Sequence, residues 1–205
     1  MQNCRFGVNV NWSNYDYENF YNYPANHIIM CHLCNAKPVY EFTNKRKLCR
    51  NCFIHWFEKK FLFINRKFNM IKKGDIIAIK GEGYKKEALK YVLDNFKNKL
   101  MIKINNKGNK IAISDTIGSE SNKIIDVLIN KNINKSPSLK PINNKIIKPL
   151  YLFTDEEVLL YAKLKGLKYK PSTKKIDNLT YFLNNLEQKH PEVKRAVVNS
   201  YLKFS

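Results

Sequence analysis

The sequence has little that would place the protein in or across a membrane. No stretch approaches the ~18 consecutive apolar residues that a membrane-spanning helix needs. Residues 1–30 are rich in asparagine and tyrosine and lack the basic-then-apolar order of a secretory signal. We therefore expect a protein of the cytoplasm that does not enter membranes, in which residues 1–29 form a poorly ordered arm.

Acidic residues are scarce, and arginine is scarcer still. The 17 acidic residues stand against 37 basic ones, which gives a formal net charge of +20 and indicates a polyanionic partner, above all nucleic acid. Only five of the basic residues are arginines, although phosphate-binding sites favour arginine for its paired hydrogen bonds. Abundant lysine, asparagine and isoleucine are also what A+T-rich codons produce. Whatever its origin, the charge predicts a salt-sensitive attraction to RNA.

Cysteine is rare and is confined to the first 52 residues of the chain. No cysteine follows Cys52, and Cys4 is the only one outside an array formed by Cys31, Cys34, Cys49 and Cys52. Two Cys-x-x-Cys pairs at this spacing place four thiolates around one Zn²⁺ and leave no open position for catalysis, which predicts a structural zinc ribbon. An iron–sulfur centre, a pair of disulfides and chance are the alternatives, and the missing secretory signal argues against disulfides.

Basic residues near this array are the candidates for RNA contact. Residues 53–68 carry apolar side chains at helical spacing, which predicts a helix that packs on the ribbon and on the following domain. A basic and aromatic surface for RNA is the alternative interpretation of the same segment. The RNA-binding candidates are Lys45, Arg46, Lys47, Arg50, Lys59, Lys60, Arg66 and Lys67.

The rest of the 205 residues suffices for one α/β domain, which we place at residues 71–205 behind a ribbon and helix at 30–70. Two strand–helix units are predicted, with strands at 76–79 and 110–114. The first helix covers about 84–96, and Ser119 or Ser121 caps the second. A parallel return needs about a dozen residues, so the short segment between the units predicts a hairpin over 100–113.

The C-terminal part begins with a basic segment and continues with helices. Residues 130–148 have no apolar period and are interpreted as a mobile basic linker. Thr154 and Glu157 form a capping-box pattern that starts a helix ending at Gly166. Two further helices follow, the last one starting at Pro191.

The loop after the first predicted strand of the domain has the layout that aims backbone N–H groups at a phosphate. Two glycines alone are weak evidence for such a site, and the carboxylate of Glu82 would repel phosphate. The loop residues are Lys80, Gly81, Glu82, Gly83, Tyr84 and Lys85.

Together these pieces resemble the cytoplasmic tRNA 2-thiolation proteins, a pair that puts sulfur on the wobble uridine of certain tRNAs. The resemblance covers roughly residues 30–90 and 110–203, and the cysteine pairs are its most specific part. The residues that carry it are Cys31-x-x-Cys34, Pro38-Val39, Cys49-Arg50-x-Cys52-Phe53, Phe57, Lys60-Phe61, Gly74, Ala78, Lys148-Pro149-Leu150, Glu156-Glu157-Val158, Tyr161-Ala162, Leu167, Tyr169, Leu186-Glu187, Pro191 and Ser200.

The resemblance implies a zinc ribbon followed by a reduced ATP-pyrophosphatase-like domain, of the adenine nucleotide alpha hydrolase-like type, with a helical C-terminus. The catalytic member of the pair carries a Ser-Gly-Gly-x-Asp-Ser loop and further cysteines in this domain. Here the loop lacks both serines and the aspartate, and the expected histidine and acidic pair are missing at 114–117. We therefore expect no ATP binding and no catalysis.

The family member implied is then the non-catalytic subunit, a scaffold that binds tRNA and forms a heterodimer with the catalytic subunit. The ubiquitin-like sulfur carrier pathway is a further implied partner. One alternative is a diverged but active thiolation enzyme, which nucleotide binding would reveal. The other is an unrelated zinc-ribbon RNA-binding protein, which would not co-purify with a catalytic subunit.

Overall fold

The structure, a computed structural model, describes residues 30–130, 139–171 and 177–204, so the predicted arm at 1–29 and Cys4 lie outside it. The strands are β1 (Pro38–Glu41), β2 (Lys47–Cys49), β3 (Ile76–Lys80), β4 (Lys103–Ile104), β5 (Lys110–Ile113), β6 (Ile142–Asn143) and β7 (Ile146–Ile147). The helices are α1 (Arg50–Lys67), α2 (Gly83–Leu100), α3 (Ile117–Ile129), α4 (Asp155–Leu164), α5 (Asn178–Lys189) and α6 (Val193–Phe204).

The chain divides into two compact units, Met1–Trp56 and Phe57–Ser205, so the division falls inside α1 and not at residue 70. In the described part of the first unit, β1 and β2 form an antiparallel hairpin. Its turn is closed by the Phe42 N–H, which donates to the Arg46 carbonyl at 2.8 Å. This hairpin connects the first Cys-x-x-Cys pair to the second.

The second unit contains a five-stranded sheet with the order β4-β3-β5-β7-β6. Strands β4 and β5 both run parallel to β3 on its two sides, so the predicted hairpin over 100–113 is wrong. A long connection from β4 to β5 is unnecessary because β4 pairs only with the first two residues of β3. The short loop between β4 and β5 crosses close to the first residue of β3. Gly108 permits the crossing, since a Cβ there would overlap the backbone of Ile76.

The helices of the second unit cover both faces of the sheet. The connections β3–α2–β4 and β5–α3–β7 leave the sheet centre in opposite directions, and such crossovers are nearly always right-handed. Helices α2 and α3 therefore lie on opposite faces. Their packing partners agree with this placement, because α2 contacts α4, whereas α3 contacts α5 and α6.

The predicted linker over 130–148 is wrong for its described part. Residues 131–138 are not among the described residues, but β6 and β7 form an antiparallel pair, and β7 extends the sheet beside β5. Leu139 and Ile147 are buried, and Lys148 is buried against a carboxylate of α3. The isoleucines at 142, 146 and 147 supply enough apolar surface for this short hairpin to join the core.

The helix starts follow the capping chemistry of the sequence. Thr154 accepts the Glu157 N–H at 3.1 Å and Glu157 accepts the Thr154 N–H at 3.0 Å, which confirms the predicted capping box. Helix α3 is capped by Thr116 and not by Ser119 or Ser121; Ser119 is instead the reciprocal residue of that capping box. Across the described ranges, no helix is both long and apolar enough to cross a membrane.

Candidate functional site

The four cysteines of the array converge in the first unit. Cys31 and Cys34 lie on a tight turn before β1, where the Cys31 N–H donates to the Ala36 carbonyl at 3.0 Å. Cys49 ends β2, and Cys52 lies in the first turn of α1. Their Sγ atoms all lie within 4.8 Å of one another, with 3.4 Å between Cys34 and Cys49.

This spacing fits one tetrahedral metal ion. With Zn–S bonds of ~2.3 Å, the sulfurs of a tetrahedral site stand ~3.8 Å apart, close to the 3.7 Å between Cys34 and Cys52. An iron–sulfur cluster places several iron atoms between its thiolates and needs them farther apart. All four described cysteines are free thiols, so the pair of disulfides is not what the structure shows. A tetrahedral set of four sulfurs suits zinc, and also a single iron ion.

The electrostatics of the four thiols are those of a site that needs a cation. Burial raises the pKa of Cys52, and hydrogen bonds with Cys49 and Cys34 raise it further. Burial also favours a raised pKa for Cys31. Backbone N–H groups that point at its sulfur outweigh the effect of burial, and its pKa is lowered to about 7. Four sulfurs in this space cannot all carry charge unless a metal ion neutralises them.

His32 supports the cysteine turn without being one of the four metal ligands. Its backbone N–H donates to the Lys47 carbonyl at 3.0 Å, and its ring Nδ1 accepts the Lys47 backbone N–H at 3.0 Å. These two bonds join the first cysteine pair to β2. The sequence offered no signal for this role, because it depends on the register of the hairpin.

A second candidate site lies at the carboxyl ends of β3 and β5. We define the crevice by residues 80–83 at the end of β3 and 114–116 after β5, together with Lys85. The chain leaves β3 toward one side of the sheet and β5 toward the other, and such a switch point is where open α/β sheets bind ligands. Gly81 has φ +138°, and a Cβ on it would overlap the buried Ser114 hydroxyl, so the loop requires glycine here.

Three helix N-termini meet at this crevice and are tied together by polar side chains. Lys85 of α2 donates from Nζ to the Thr116 hydroxyl at 3.0 Å and approaches the Asp155 Oδ1 at 2.8 Å. The Thr116 hydroxyl in turn donates to the Asp155 carboxylate. Gly118 makes room for that carboxylate, because a Cβ there would lie only 2.9 Å from it.

The segment after α4 lies over the start of α2. The rings of Tyr84 and Tyr169 meet edge to face at 5.8 Å, and the Lys170 carbonyl is 3.6 Å from where a Cβ of Gly83 would stand. Burial, followed by the charge of Asp155, raises the pKa of Tyr84. Tyr84 therefore remains a neutral packing residue at the edge of the crevice.

The crevice also rests on a buried network that the sequence did not reveal. Glu120 is fully buried and accepts Lys148 at 2.7 Å and Lys123 at 3.0 Å, and Lys123 also pairs with Asp115 at 2.5 Å. Burial raises the pKa of Glu120, and the two lysines counter that effect. Because Lys148 belongs to the segment interpreted as a linker, nothing in the sequence pattern pointed to this pairing.

The RNA candidates of the first unit differ in exposure. Lys45 and Arg50 are exposed, and Lys47 is half-buried. Lys45 and Lys47 approach the Glu41 carboxylate at 3.6 and 3.5 Å. Arg46 is buried with its guanidinium 5.7 Å from the centre of the Phe42 ring, so it serves the hairpin core.

The RNA candidates on the part of α1 that belongs to the second unit also differ in exposure. Arg66 and Lys67 are exposed at the end of the helix, and Lys59 is half-buried. Lys60 is buried and pairs with Glu157 at 2.8 Å. The cation of Lys60 is thus enclosed in the protein core, where RNA does not reach it.

No protein-family model matches the sequence, and no curated protein sequence matches it significantly. Among solved structures, the chain is similar to the U34-tRNA thiolase NcsA from Methanococcus maripaludis with its [4Fe-4S] cluster. The likeness covers 86% of this chain and 87% of that one, with a TM-score of 0.70 and 17% sequence identity.

This finding contradicts the expectation of a non-catalytic chain. The similar structure is that of a thiolase, which is an enzyme. What the likeness shows for this chain is its fold: an α/β domain with a parallel sheet, a four-cysteine group near the N-terminus and a helical C-terminus.

Proposed function

We propose that the protein is an enzyme of tRNA thiolation that binds ATP in the crevice. In this chemistry the uridine carbonyl oxygen attacks the α-phosphate of ATP and releases pyrophosphate. A sulfur nucleophile then displaces AMP from the activated carbon. The observation that carries the proposal is a crevice suited to phosphate, at the switch point of a fold similar to that of a U34-tRNA thiolase.

Backbone and lysine groups supply what phosphate binding needs. Glu82, the N-cap residue of α2, makes no side-chain capping bond, and the first backbone N–H groups of a helix are the ones that bind phosphate. Gly81 and Gly83 let the backbone come close to a ligand. Lys80 is exposed beside the loop, and Lys85 lies within the crevice. These cations and N–H groups substitute for the serine hydroxyls of the family loop.

We propose that the sulfur comes from a donor outside this chain. Four of the five cysteines form the metal group, no cysteine follows Cys52, and Cys4 lies outside the described residues. We therefore include a sulfur-donating partner in the proposal, of the ubiquitin-like carrier type or a second thiolation subunit. Zn²⁺ held by the four cysteines then has a structural part, which is to fix the hairpin and the start of α1.

The tRNA would be held mainly through its phosphates. The net charge of +20 supports such binding, and exposed basic side chains are present on both units. The candidates that remain after the buried ones are set aside are Lys45, Lys47, Arg50, Lys59, Arg66 and Lys67.

The test separates uridine activation from sulfur transfer. Zinc-loaded full-length protein is mixed with ATP and an unmodified tRNA that has uridine at the wobble position. The matched control is the same tRNA with cytidine there. We expect pyrophosphate release that depends on the wobble uridine and needs no sulfur donor. With sodium sulfide added, 2-thiouridine should appear in the digested nucleosides, detected by mass spectrometry. Bound tRNA and bound ATP without pyrophosphate release would refute the proposal.

A further inference from the structure

The ammonium of Lys85 lies in the crevice beside two side-chain oxygen atoms that together form a position suited to a cation. Its Nζ lies 2.8 Å from the Asp155 carboxylate and 3.0 Å from the Thr116 hydroxyl. The two oxygens come from different elements, the N-cap of α3 and the first residue of α4. The side chain of Lys85 is 22% exposed, so the ammonium is only partly shielded from solvent.

A carboxylate and a hydroxyl beside a phosphate-binding helix start are the protein ligands that Mg²⁺ commonly uses with nucleotides. In such sites the metal links these oxygens to the phosphates and neutralises their charge. An ammonium has three N–H donors. Two of them account for the bonds of Lys85 to Thr116 and Asp155, and the third remains for a phosphate oxygen.

The surroundings hold this arrangement in place. Thr116 is fully buried, and its hydroxyl bonds to the Asp155 carboxylate as well as to the lysine. A side chain at Gly118 would displace that carboxylate. Lys85 itself leaves α2 within its first turn, at the end where phosphate would bind. The ammonium is therefore positioned before any ligand arrives.

We propose that Lys85 takes the part of the divalent cation, so that ATP binds in the crevice without Mg²⁺. The inference rests on the proposed function, because it assumes that the crevice is the ATP site. The competing explanation is that the pair of Lys85 and Asp155 only ties α2 to α4, which pack against each other.

The experiment measures ATP affinity by calorimetry in buffer stripped of divalent cations and in the same buffer with Mg²⁺. The protein is the full chain with its zinc content checked before and after. We expect wild-type affinities that agree within about twofold. Lys85→Met should weaken metal-free binding by about tenfold or more, since a charge-assisted hydrogen bond is lost, and Mg²⁺ should restore part of it. Lys90→Met removes the same charge from an exposed position of α2 and should change neither value.

Each outcome decides one of the two claims. Wild-type binding that requires Mg²⁺ overturns the inference and leaves the ATP site intact. Equal weakening of Lys85→Met with and without Mg²⁺ also overturns it. Absence of ATP binding under both conditions overturns the proposed function itself. If Lys85→Met does not fold, Asp155→Asn serves instead. It keeps the shape of the site, so metal-free affinity should be at least that of the wild type, and a weaker one overturns the inference.

Discussion

The buried pair of Lys60 and Glu157 allows a sharp test of whether a basic residue serves RNA or the fold. The Lys60 Nζ lies 2.8 Å from the Glu157 Oε2, and the two side chains are 2% and 1% exposed. The same ammonium stands 4.5 Å from the centre of the Phe153 ring. The same carboxylate also accepts the Thr154 N–H that starts α4, so the pair joins α1 to the capping box of α4.

Lys60→Met should lower the free energy of unfolding by about 3–5 kcal/mol, because it leaves the Glu157 charge buried without its partner. Methionine keeps most of the apolar stem, so little of this loss comes from packing. Combining Lys60→Met with Glu157→Gln should recover much of the stability. Glutamine leaves no buried charge, and its carbonyl can still accept the Thr154 N–H.

The assay is urea unfolding of the zinc-loaded chain at neutral pH, followed by far-ultraviolet circular dichroism. Lys59→Met is the matched control, because it removes the same charge from a half-buried neighbour on the same helix. Under folding conditions, Lys60→Met should leave the salt dependence of tRNA binding unchanged. A Lys60→Met protein as stable as the wild type, or one with a smaller salt slope, would refute the assignment of Lys60 to the core.

Three further predictions concern the metal, the loop and the RNA. Metal analysis should find about one Zn²⁺ per chain, and Cys52→Ala should lose it together with the folded hairpin; visible absorption from iron would contradict this. Gly81→Ala should cost about 1–3 kcal/mol and abolish ATP binding, because strain adds to overlap with a buried side chain. Gly166→Ala is the control: φ is +66° there and a Cβ would meet nothing within 4 Å, so it should cost only ~1 kcal/mol in strain. Equal costs for Gly81→Ala and Gly166→Ala would argue against the overlap with Ser114. Arg50→Glu should lower the salt slope of tRNA binding by about one, measured by filter binding.

The sequence predicted those features that depend on neighbouring residues. Cysteine spacing predicted the four-thiol group. Apolar runs predicted β3 and β5, and helical periodicity predicted α1 and α2. The capping box of Thr154 was readable because its two members lie three residues apart. In each case the pattern and the contact that stabilises it fall within one turn, one strand or one hairpin.

Features that depend on distant partners were not predictable in this way. Lys60 reads as an exposed basic residue until Glu157, 97 positions later, is placed beside it. The parallel placement of β4 and β5 depends on a loop that crosses the start of β3, and a single glycine, Gly108, permits it. Such close backbone approaches leave no periodic signal in a sequence.

The crevice contains the kinds of group whose absence from the loop led to the expectation of no catalysis. The family loop supplies its own hydroxyls and carboxylate, and their loss at residues 80–85 was read as the loss of the site. In the ATP site that we propose, the hydroxyl and the carboxylate come from Thr116 and Asp155, which follow the loop by more than thirty positions. Lys85 brings them to the start of α2. A site assembled across three helix starts can thus keep its charges and donors while its loop sequence changes, so the groups around the crevice are the ones to mutate.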